Sequence, residues 1–128
     1  MELTLHKPGD HHFVRSVSPE GVNVNDTLYA KSLILTAETL LPDWPVNAME
    51  DLGESTLQPI LDLEPEVVIL GTGETQDFLP PTLAMKFYEQ GIGIEAMTTE
   101  AACRTFNVLV SEERKVAAAL IVRSLNTT

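Results

Sequence analysis

The chain has 128 residues, of which 44% are hydrophobic and 21% charged, so it has enough apolar material for one packed core. Its 19 acidic and 8 basic residues give a net charge of -11, opposite in sign to that of proteins that bind nucleic acid. A single cysteine, Cys103, excludes an intramolecular disulfide and indicates a reducing compartment. The first residues lack the pattern of a signal peptide, and no apolar run reaches the roughly 18 to 20 residues that span a bilayer. We expect a cytoplasmic protein without direct membrane insertion, with one domain over residues 1–124 and a tail at 125–128.

The charge is unevenly distributed along the chain. No Lys or Arg occurs between Lys31 and Lys86. Ten of the 19 acidic residues lie in that acidic stretch: Glu38, Asp43, Glu50, Asp51, Glu54, Asp62, Glu64, Glu66, Glu74 and Asp77. They predict either a solvated surface that aids solubility or an acidic face that attracts a basic protein partner.

The first 40 residues have the pattern of β structure. Alternating or β-branched segments predict strands at residues 2–6, 12–17, 21–25 and 28–36. Asn25-Asp26 predicts a turn, and strands at this spacing favour antiparallel pairing. Residues 41–53 contain two prolines and a glycine and are predicted to form a loop. In that loop, Trp44 is either a lid over the core or an exposed anchor for a partner.

From residue 55 onward, predicted helices alternate with predicted strands. Ser55 and Gln58 form a capping-box pattern at the start of the first helix, which places Pro59 in the first turn, and Pro65 ends the helix. Strands are predicted at residues 66–70, 91–97 and 116–122, the last of them central. This alternation predicts an α/β sheet covered by helices, with an all-β N-terminal layer appended.

Two further helices lie between these strands. Pro80-Pro81 begins one and Gly91 ends it. Its predicted core face consists of Leu83, Ala84, Phe87 and Tyr88. Thr98 or Thr99 caps the other helix. The apolar stripe of that helix consists of Ala102, Phe106 and Leu109.

The loop Gly71-Thr-Gly-Glu-Thr75 is the first candidate for a binding site. It follows a predicted strand, which is where ligands bind in open α/β sheets, and Thr72 and Thr75 offer hydroxyl groups. It matches neither the phosphate loop nor the dinucleotide fingerprint, and Glu74 would repel a phosphate. The alternative is a tight strand exit whose glycines adopt positive φ, in which case Gly73→Val destabilises the fold.

Three residues of the last helix form the second group of candidates. Cys103 lies near the helix start and beside Arg104, both of which can lower a thiol pKa, although it is equally consistent with a small buried hydrophobe. Arg104 is also placed to pair with Glu100, four residues earlier. Asn107 is a candidate polar group, or a residue that helps to end the helix.

The remaining motifs assign no metal, cofactor or reaction. His6, His11 and His12 are close in sequence but match no compact zinc pattern. The chain has no G-x-S-x-G elbow, H-E-x-x-H helix or kinase motif. Enzymatic activity is therefore not assigned.

Two longer motifs resemble a known family. They are Glu66-Val-Val-Ile-Leu-Gly-Thr-Gly-Glu-Thr and Met97-Thr-Thr-Glu-Ala-Ala-Cys-Arg-Thr-Phe-Asn. Together with Trp44 and Gly91-Ile-Gly-Ile-Glu, they make nearly the whole chain similar to a family of unknown-function domains that includes a mitochondrial complex I assembly factor. The segment Ser111-Glu-Glu-Arg-Lys departs from the Gly-Arg type of turn expected there.

The resemblance implies a single α/β domain with a mixed central sheet, helices on one side and an N-terminal antiparallel β layer on the other. For the mitochondrial members it implies assembly of the membrane NADH:ubiquinone oxidoreductase through protein contacts. The family's recurring residues would line one surface, with the glycine loop facing the start of the last helix. They map here to Trp44, Gly71, Thr72, Gly73, Cys103, Arg104 and Asn107.

Two functions remain open from the sequence. The first is a non-enzymatic protein-interaction or assembly factor with a basic or membrane-associated partner. The second is a small-molecule binder or enzyme in which residues 71–75, with Cys103, Arg104 and Asn107, hold a carboxylate or phosphate. The second function requires Arg104 to leave Glu100 and face a pocket.

Overall fold

The computed structural model describes residues 11–122, which form two sheets and three α-helices. The small antiparallel sheet contains β1 (Val14–Ser18), β2 (Gly21–Val24) and β3 (Thr27–Tyr29). The five-stranded sheet contains β4 (Leu33–Leu35), β5 (Leu40–Leu41), β6 (Val67–Gly71), β7 (Gly93–Met97) and β8 (Val116–Leu120). The helices are α1 (Glu54–Asp62), α2 (Pro81–Tyr88) and α3 (Thr99–Ser111), and a 3-10 turn at Met49–Asp51 precedes α1. The predicted strand at 2–6 and the tail at 125–128 lie outside the described residues.

The five-stranded sheet is mixed and has the order β5-β4-β8-β6-β7. Strand β8 runs parallel to β6 and antiparallel to β4, and β6 runs parallel to β7. All five residues of β8 are buried, as expected of a strand covered on both faces. The prediction that the last apolar run is the central strand is therefore confirmed.

Alternate residues of the central strands pack on opposite faces of this sheet. In β6, Ile69 belongs to the core formed with α3 and the small sheet, whereas Val68 and Leu70 belong to the core formed with α1 and α2. The central sheet thus has α1 and α2 on one face, and α3 together with the small sheet on the other. The prediction of a layered, mixed α/β fold with an N-terminal antiparallel β layer is confirmed, and α3 shares the face of that layer.

The predicted strand at residues 28–36 is wrong in one respect, because the segment belongs to two sheets. It divides at Ser32, between β3 and β4. The buried Ser32 hydroxyl donates to the carbonyl of Val46 and accepts from the N–H of Val122, 2.8 Å away. These side-chain bonds replace strand pairing where the chain passes from one sheet to the other. The predicted turn at Asn25-Asp26 is confirmed, with φ values of 48° and 75°.

Helix α1 is capped by Gly53, two residues before the predicted cap Ser55. The N–H of Gly53 donates to the Thr56 hydroxyl at 2.9 Å, so Thr56 makes the contact that was predicted for Gln58. Pro59 consequently lies in the second turn rather than the first. Its missing N–H leaves the carbonyl of Ser55 without a helical donor, which is tolerated because Ser55 is exposed to water.

Gly91 terminates helix α2 as predicted, three residues after its last helical residue, Tyr88. Gly91 has a φ of 76°, its N–H donates to the carbonyl of Tyr88, and the next N–H, of Ile92, donates to Phe87. This is the hydrogen-bond pattern of a glycine-terminated helix. The predicted core face is correct for Phe87, which is fully buried, but wrong for Tyr88, which is 54% exposed. In the described part of the chain, no helix has the length and apolar content needed to cross a membrane.

Helix α3 is followed by a turn with an unusual residue, Glu113. The hydroxyl of Thr98 accepts from the N–H of Ala101 at 3.2 Å, so Thr98 is the cap at its start. At its end, the N–H of Glu113 donates to Val110 and that of Arg114 donates to the carbonyl of Leu109. Glu113 has a φ of 63°, a conformation for which glycine is preferred. The turn therefore forms without the expected glycine, and Glu113 bears the conformational cost.

Candidate functional site

The glycine loop joins three elements where β6 ends. The N–H of Thr72 donates to the carbonyl of Met97 in β7 at 2.8 Å, and its hydroxyl donates to the carbonyl of Thr75 at 2.7 Å. The N–H of Gly73 donates to the Thr99 hydroxyl at 2.9 Å, and the N–H of Thr99 donates back to the Gly73 carbonyl at 2.9 Å. The loop and the first turn of α3 are thus connected by reciprocal hydrogen bonds.

The two glycines of the loop are required for different reasons. A Cβ on Gly71 would lie 2.8 Å from Thr99 Oγ1 and 2.9 Å from Thr99 Cα, so Gly71 permits close backbone approach. Gly73 has no neighbour within 4 Å of such a Cβ, but its φ is 104°. The expected positive φ is therefore found at Gly73 and not at Gly71.

Thr99 was predicted only as a possible cap of α3, and its place at this site was not predicted. It is buried, and its hydroxyl donates to the carbonyl of Ile121 at 2.8 Å while accepting from Gly73. The sequence contained an indication of this contact, because only one of the adjacent residues Thr98 and Thr99 can be the helix cap. The other one, Thr99, then occupies the first helical turn and faces the loop.

A cavity of about 350 Å³ opens beside the glycine loop. It lies between the start of α3 and the turn that joins β1 to β2. Its lining includes Gly73, Glu74, Thr98, Glu100, Pro19 and Val22. Two of these residues are acidic, so the cavity is electrostatically unfavourable for a phosphate or a carboxylate.

Cys103 and Arg104 do not meet at this cavity. Cys103 is 2% exposed, and burial raises its pKa to about 12, so the thiol is protonated at neutral pH. Arg104 lies on the surface and pairs with Glu100 at 3.5 Å. The thiol is thus placed as a small core residue, and the guanidinium is placed in the helix-surface ion pair.

Asn107 connects α3 to the small sheet. Its Oδ1 accepts from the N–H of Val14 at 2.9 Å, and its Nδ2 donates to the carbonyl of the same residue at 2.9 Å. The side chain thereby pairs with β1 as a neighbouring strand would. The expectation that Asn107 helps to end the helix is wrong, since α3 continues to Ser111.

Trp44 lies on the other face of the central sheet. It is 4% exposed, belongs to the core formed with α1 and α2, and donates from Nε1 to the carbonyl of Thr56 at 2.8 Å. This is the geometry of a lid over the core. The residues that the resemblance assigns to the family's motifs, called the recurring residues below, lie at three places rather than on one surface: the glycine loop with the start of α3, the contact of Asn107 with β1, and Trp44 in the core beside α1.

The acidic side chains of the acidic stretch are all on the surface, but they do not form a single patch. All ten of its acidic side chains are exposed, and they do not lie at one end of the sheet, since Glu66 precedes β6 and Glu74 follows it. The backbone N–H of Lys115 and the guanidinium of Arg114 hold the pKa of Glu66 below its usual value. The ammonium of Lys86, 2.7 Å from Glu54, lowers the pKa of that carboxyl in the same way. These paired carboxylates stay charged under mildly acidic conditions.

Of the three histidines that are close in sequence, His6 lies outside the described residues. His12 makes a 2.8 Å hydrogen bond between its Nδ1 and the carbonyl of Thr36. Among residues 11–122, no three His, Cys, Asp or Glu side chains are grouped closely enough to hold a metal ion.

Similarity to known proteins decides the family. Residues 14–121 match the family described as "Protein of unknown function (DUF498/DUF598)". The chain belongs to this family. It is 37% identical over 111 residues to the zebrafish (Danio rerio) protein named NADH dehydrogenase (ubiquinone) 1 alpha subcomplex assembly factor 3. That match covers 84% of this chain and 63% of the zebrafish protein, so the chain spans less than two thirds of that relative.

Bacterial members of the family share its fold. An NMR structure of a Xanthomonas campestris protein is 38% identical and superposes with a TM-score of 0.83, covering 100% of this chain and 97% of that one. A Francisella tularensis protein named "13 kDa major membrane protein" is 32% identical over 94 residues, which is 73% of this chain and 76% of that protein. The resemblance inferred from the two sequence motifs is thereby confirmed.

Proposed function

We propose that this protein is a non-enzymatic protein-interaction or assembly factor. The observation that carries the proposal is the similarity, over 84% of the chain, to a protein named as an assembly factor. Since the chain covers 63% of that relative, the proposal concerns the kind of activity and not the relative's particular partners. Assembly factors act by contact with other proteins, so their working residues are sought on the surface.

The packing of the recurring residues supports this proposal. Gly71, Thr72 and Gly73 connect β6 to β7 and α3, and Cys103 is in the core. Asn107 pairs with the backbone of β1. These contacts give these five residues a stabilising role, so a reaction is not needed to explain them.

Charge supports a basic or membrane-associated partner. The net charge is -11, and all ten acidic side chains of the acidic stretch are exposed. A surface of this sign speeds encounter with a positively charged partner and is screened by salt. On this proposal the protein acts in the cytoplasm, where its one cysteine stays reduced.

The alternative function, a small-molecule binder or enzyme, now depends on the cavity beside Gly73. Cys103, Arg104 and Asn107 do not line that cavity, and Glu74 and Glu100 do. The alternative therefore lacks the cation and the thiol on which it was built. A ligand there would have to be neutral or cationic.

A tagged pull-down from lysate of the native organism tests the proposal, with bound proteins identified by mass spectrometry at low and moderate salt. We expect a stoichiometric partner whose recovery falls as salt rises. Recovery of the tagged protein alone at both salt concentrations would refute the interaction function and favour a ligand in the cavity.

Charge variants test the electrostatic part separately. Glu38→Gln with Glu50→Gln removes two exposed acids of the acidic stretch. Glu20→Gln with Glu112→Gln removes two exposed acids outside it and changes the net charge equally. Partner recovery should fall for the first pair and remain for the second. Equal recovery of both would show that the acidic stretch does not attract the partner.

A further inference from the structure

Among residues 11–122, strand β7 forms one edge of the five-stranded sheet, and Glu95 is its only charged residue. Its five residues include neither Pro nor Lys. The opposite edge strand, β5, has only two residues and is followed by Pro42. Natural edge strands are commonly short, or carry Lys or Pro, because their free backbone groups pair readily with another chain. Strand β7 is therefore the edge at which another strand can be added.

The hydrogen bonds of β7 define which backbone groups face outward. The N–H of Gly93 and the carbonyl of Met97 bond to the β6 side, at 3.2 and 2.8 Å. Successive residues of a strand direct these groups to opposite sides, so those of Ile94 and Ala96 face away from β6. The Gln76 side chain contacts the Ala96 carbonyl at 3.4 Å, close to the limit of a hydrogen bond. An added strand would bond to Ile94 and Ala96 and replace this weak contact.

A groove lies beside this edge on the α2 side, lined by apolar residues and by the polar Gln76 and Glu95. Its volume is about 320 Å³, and it is bounded by β7, α2 and the loop that follows β6. Two aromatic residues in its lining are unusually open to water, with Phe78 81% and Tyr88 54% exposed. Exposed aromatic side chains at a groove are typical of protein contact sites. Alternate side chains of an added strand would enter this groove.

The other side chains of an added strand would lie beside Glu95. Ile94 and Ala96 pack toward the core of α1 and α2, so Glu95 points to the opposite face, where it is exposed. Opposite charges on neighbouring strands attract, and like charges directly opposite repel. A second copy of this chain would bring its own net charge of -11 to the edge, so charge favours a basic partner over self-association.

We infer that β7 binds an extended segment of a partner protein by strand addition. The segment alternates apolar residues, which fill the groove at Phe78 and Tyr88, with Lys or Arg, which pair with Glu95. This inference rests on the proposed protein-interaction function and names the surface and the chemistry of the partner. Strand addition of this kind takes affinity from main-chain hydrogen bonds and specificity from alternate side chains.

Selection of a random peptide library on the whole protein tests the inference. Enriched peptides should alternate apolar and basic residues and should shift the backbone amide NMR signals of Ile94 and Ala96. Glu95→Lys should weaken the best peptide about 5-fold or more, whereas Glu20→Lys, an equal charge change in the exposed turn after β1, should change its affinity by less than about 2-fold. Phe78→Ser should also weaken it, and Val108→Ser, at an exposed apolar residue of α3, should not.

Several results would overturn the inference. They are the absence of any enriched peptide, enrichment without basic residues, amide shifts away from β7, and unchanged affinity in Glu95→Lys and Phe78→Ser. The native pull-down separates this failure from that of the proposed function. A partner retained equally by wild type and by both variants refutes strand addition alone. A wild-type protein that retains no partner refutes the interaction function itself.

Discussion

Replacing Gly71 with alanine should destabilise the protein strongly, because no space exists for a methyl group between β6 and the first turn of α3. The new Cβ would lie 2.8 Å from Thr99 Oγ1, 2.9 Å from Thr99 Cα and 3.1 Å from Leu120 Cδ2. One of these atoms is backbone, and α3 would have to move with it. Thr99 is also held on its other side by the carbonyl of Ile121.

The expected cost has two parts. Forcing an extra methyl group into a packed core costs about 1 to 3 kcal/mol. Moving Thr99 also weakens its hydrogen bonds with Gly73 and Ile121, and one unsatisfied buried polar group costs about 1 to 3 kcal/mol. The free energy of unfolding should fall by about 2 to 6 kcal/mol, a large share of the roughly 5 to 15 kcal/mol typical of a native protein.

Variants at two other glycines distinguish the cost of steric crowding from the cost of a positive φ. At Gly73 no atom lies within 4 Å of a new Cβ, so Gly73→Ala bears only the cost of its φ of 104°, about 1 to 2 kcal/mol. Gly73→Val should cost more, because a β-branched side chain is more restricted. At Gly93 the nearest atom is Val67 Cγ2 at 3.9 Å, an ordinary contact, so Gly93→Ala should not destabilise the protein and should raise the free energy of unfolding by up to about 1 kcal/mol, because alanine loses less conformational entropy on folding.

Urea denaturation followed by circular dichroism measures these differences, with the dependence of the free energy on urea checked for equality among variants. The expected order of destabilisation is Gly71→Ala, then Gly73→Ala, then Gly93→Ala. If Gly71→Ala unfolds at the same urea concentration as Gly93→Ala, the close approach of β6 and α3 does not determine the need for glycine, and the reasoning fails.

Variants at three further residues probe other contacts. Glu113→Gly should raise the free energy of unfolding by about 1 kcal/mol, because glycine adopts positive φ without strain, and an unchanged melting temperature would contradict this. Asn107→Ala should lower it by about 2 to 4 kcal/mol in the same urea experiment, since it leaves both backbone groups of Val14 unpaired. Asn107→Asp should also lower it, because the carboxylate keeps the acceptor but sets a second acceptor against the Val14 carbonyl. Lys86→Ala should return the lowered pKa of Glu54 toward 4.5 in a carboxyl NMR titration. Because that pKa is lowered in the folded state, the stability difference from wild type should be present above pH 4.5 and disappear as the pH falls through the lowered pKa.

The parts of the fold that sequence predicts are those with a local physical cause. The central position of β8 follows from its uninterrupted apolar residues, and the end of α2 follows from Gly91. The turn at Asn25-Asp26 follows from the tolerance of these residues for positive φ. In each case the residues that determine the structure are adjacent in the chain.

The parts that sequence does not predict depend on partners distant in the chain. The division of residues 28–36 at Ser32 depends on hydrogen bonds to Val46 and Val122, 14 and 90 positions away. The role of Asn107 depends on Val14, 93 positions away. At the candidate site, residue types suggested a reactive Cys103, but burial among residues of both sheets makes it part of the core. The exposure of a side chain and its hydrogen bonds to residues distant in the chain depend on the whole fold, so the local sequence does not reveal them.

The central position of β8 has a consequence for the order in which the protein folds. Strands β4 and β6 both pair with β8, which at Val116–Leu120 is the last strand among the described residues. During synthesis, the edges of β4 and β6 that will pair with β8 therefore lack a hydrogen-bonded neighbour until β8 is made. Pairing between strands so distant in sequence is slow, and unpaired apolar edges aggregate. We therefore expect a nascent chain that stops before Val116 to bind chaperones. In the finished domain, β8 pairs with both of these edges.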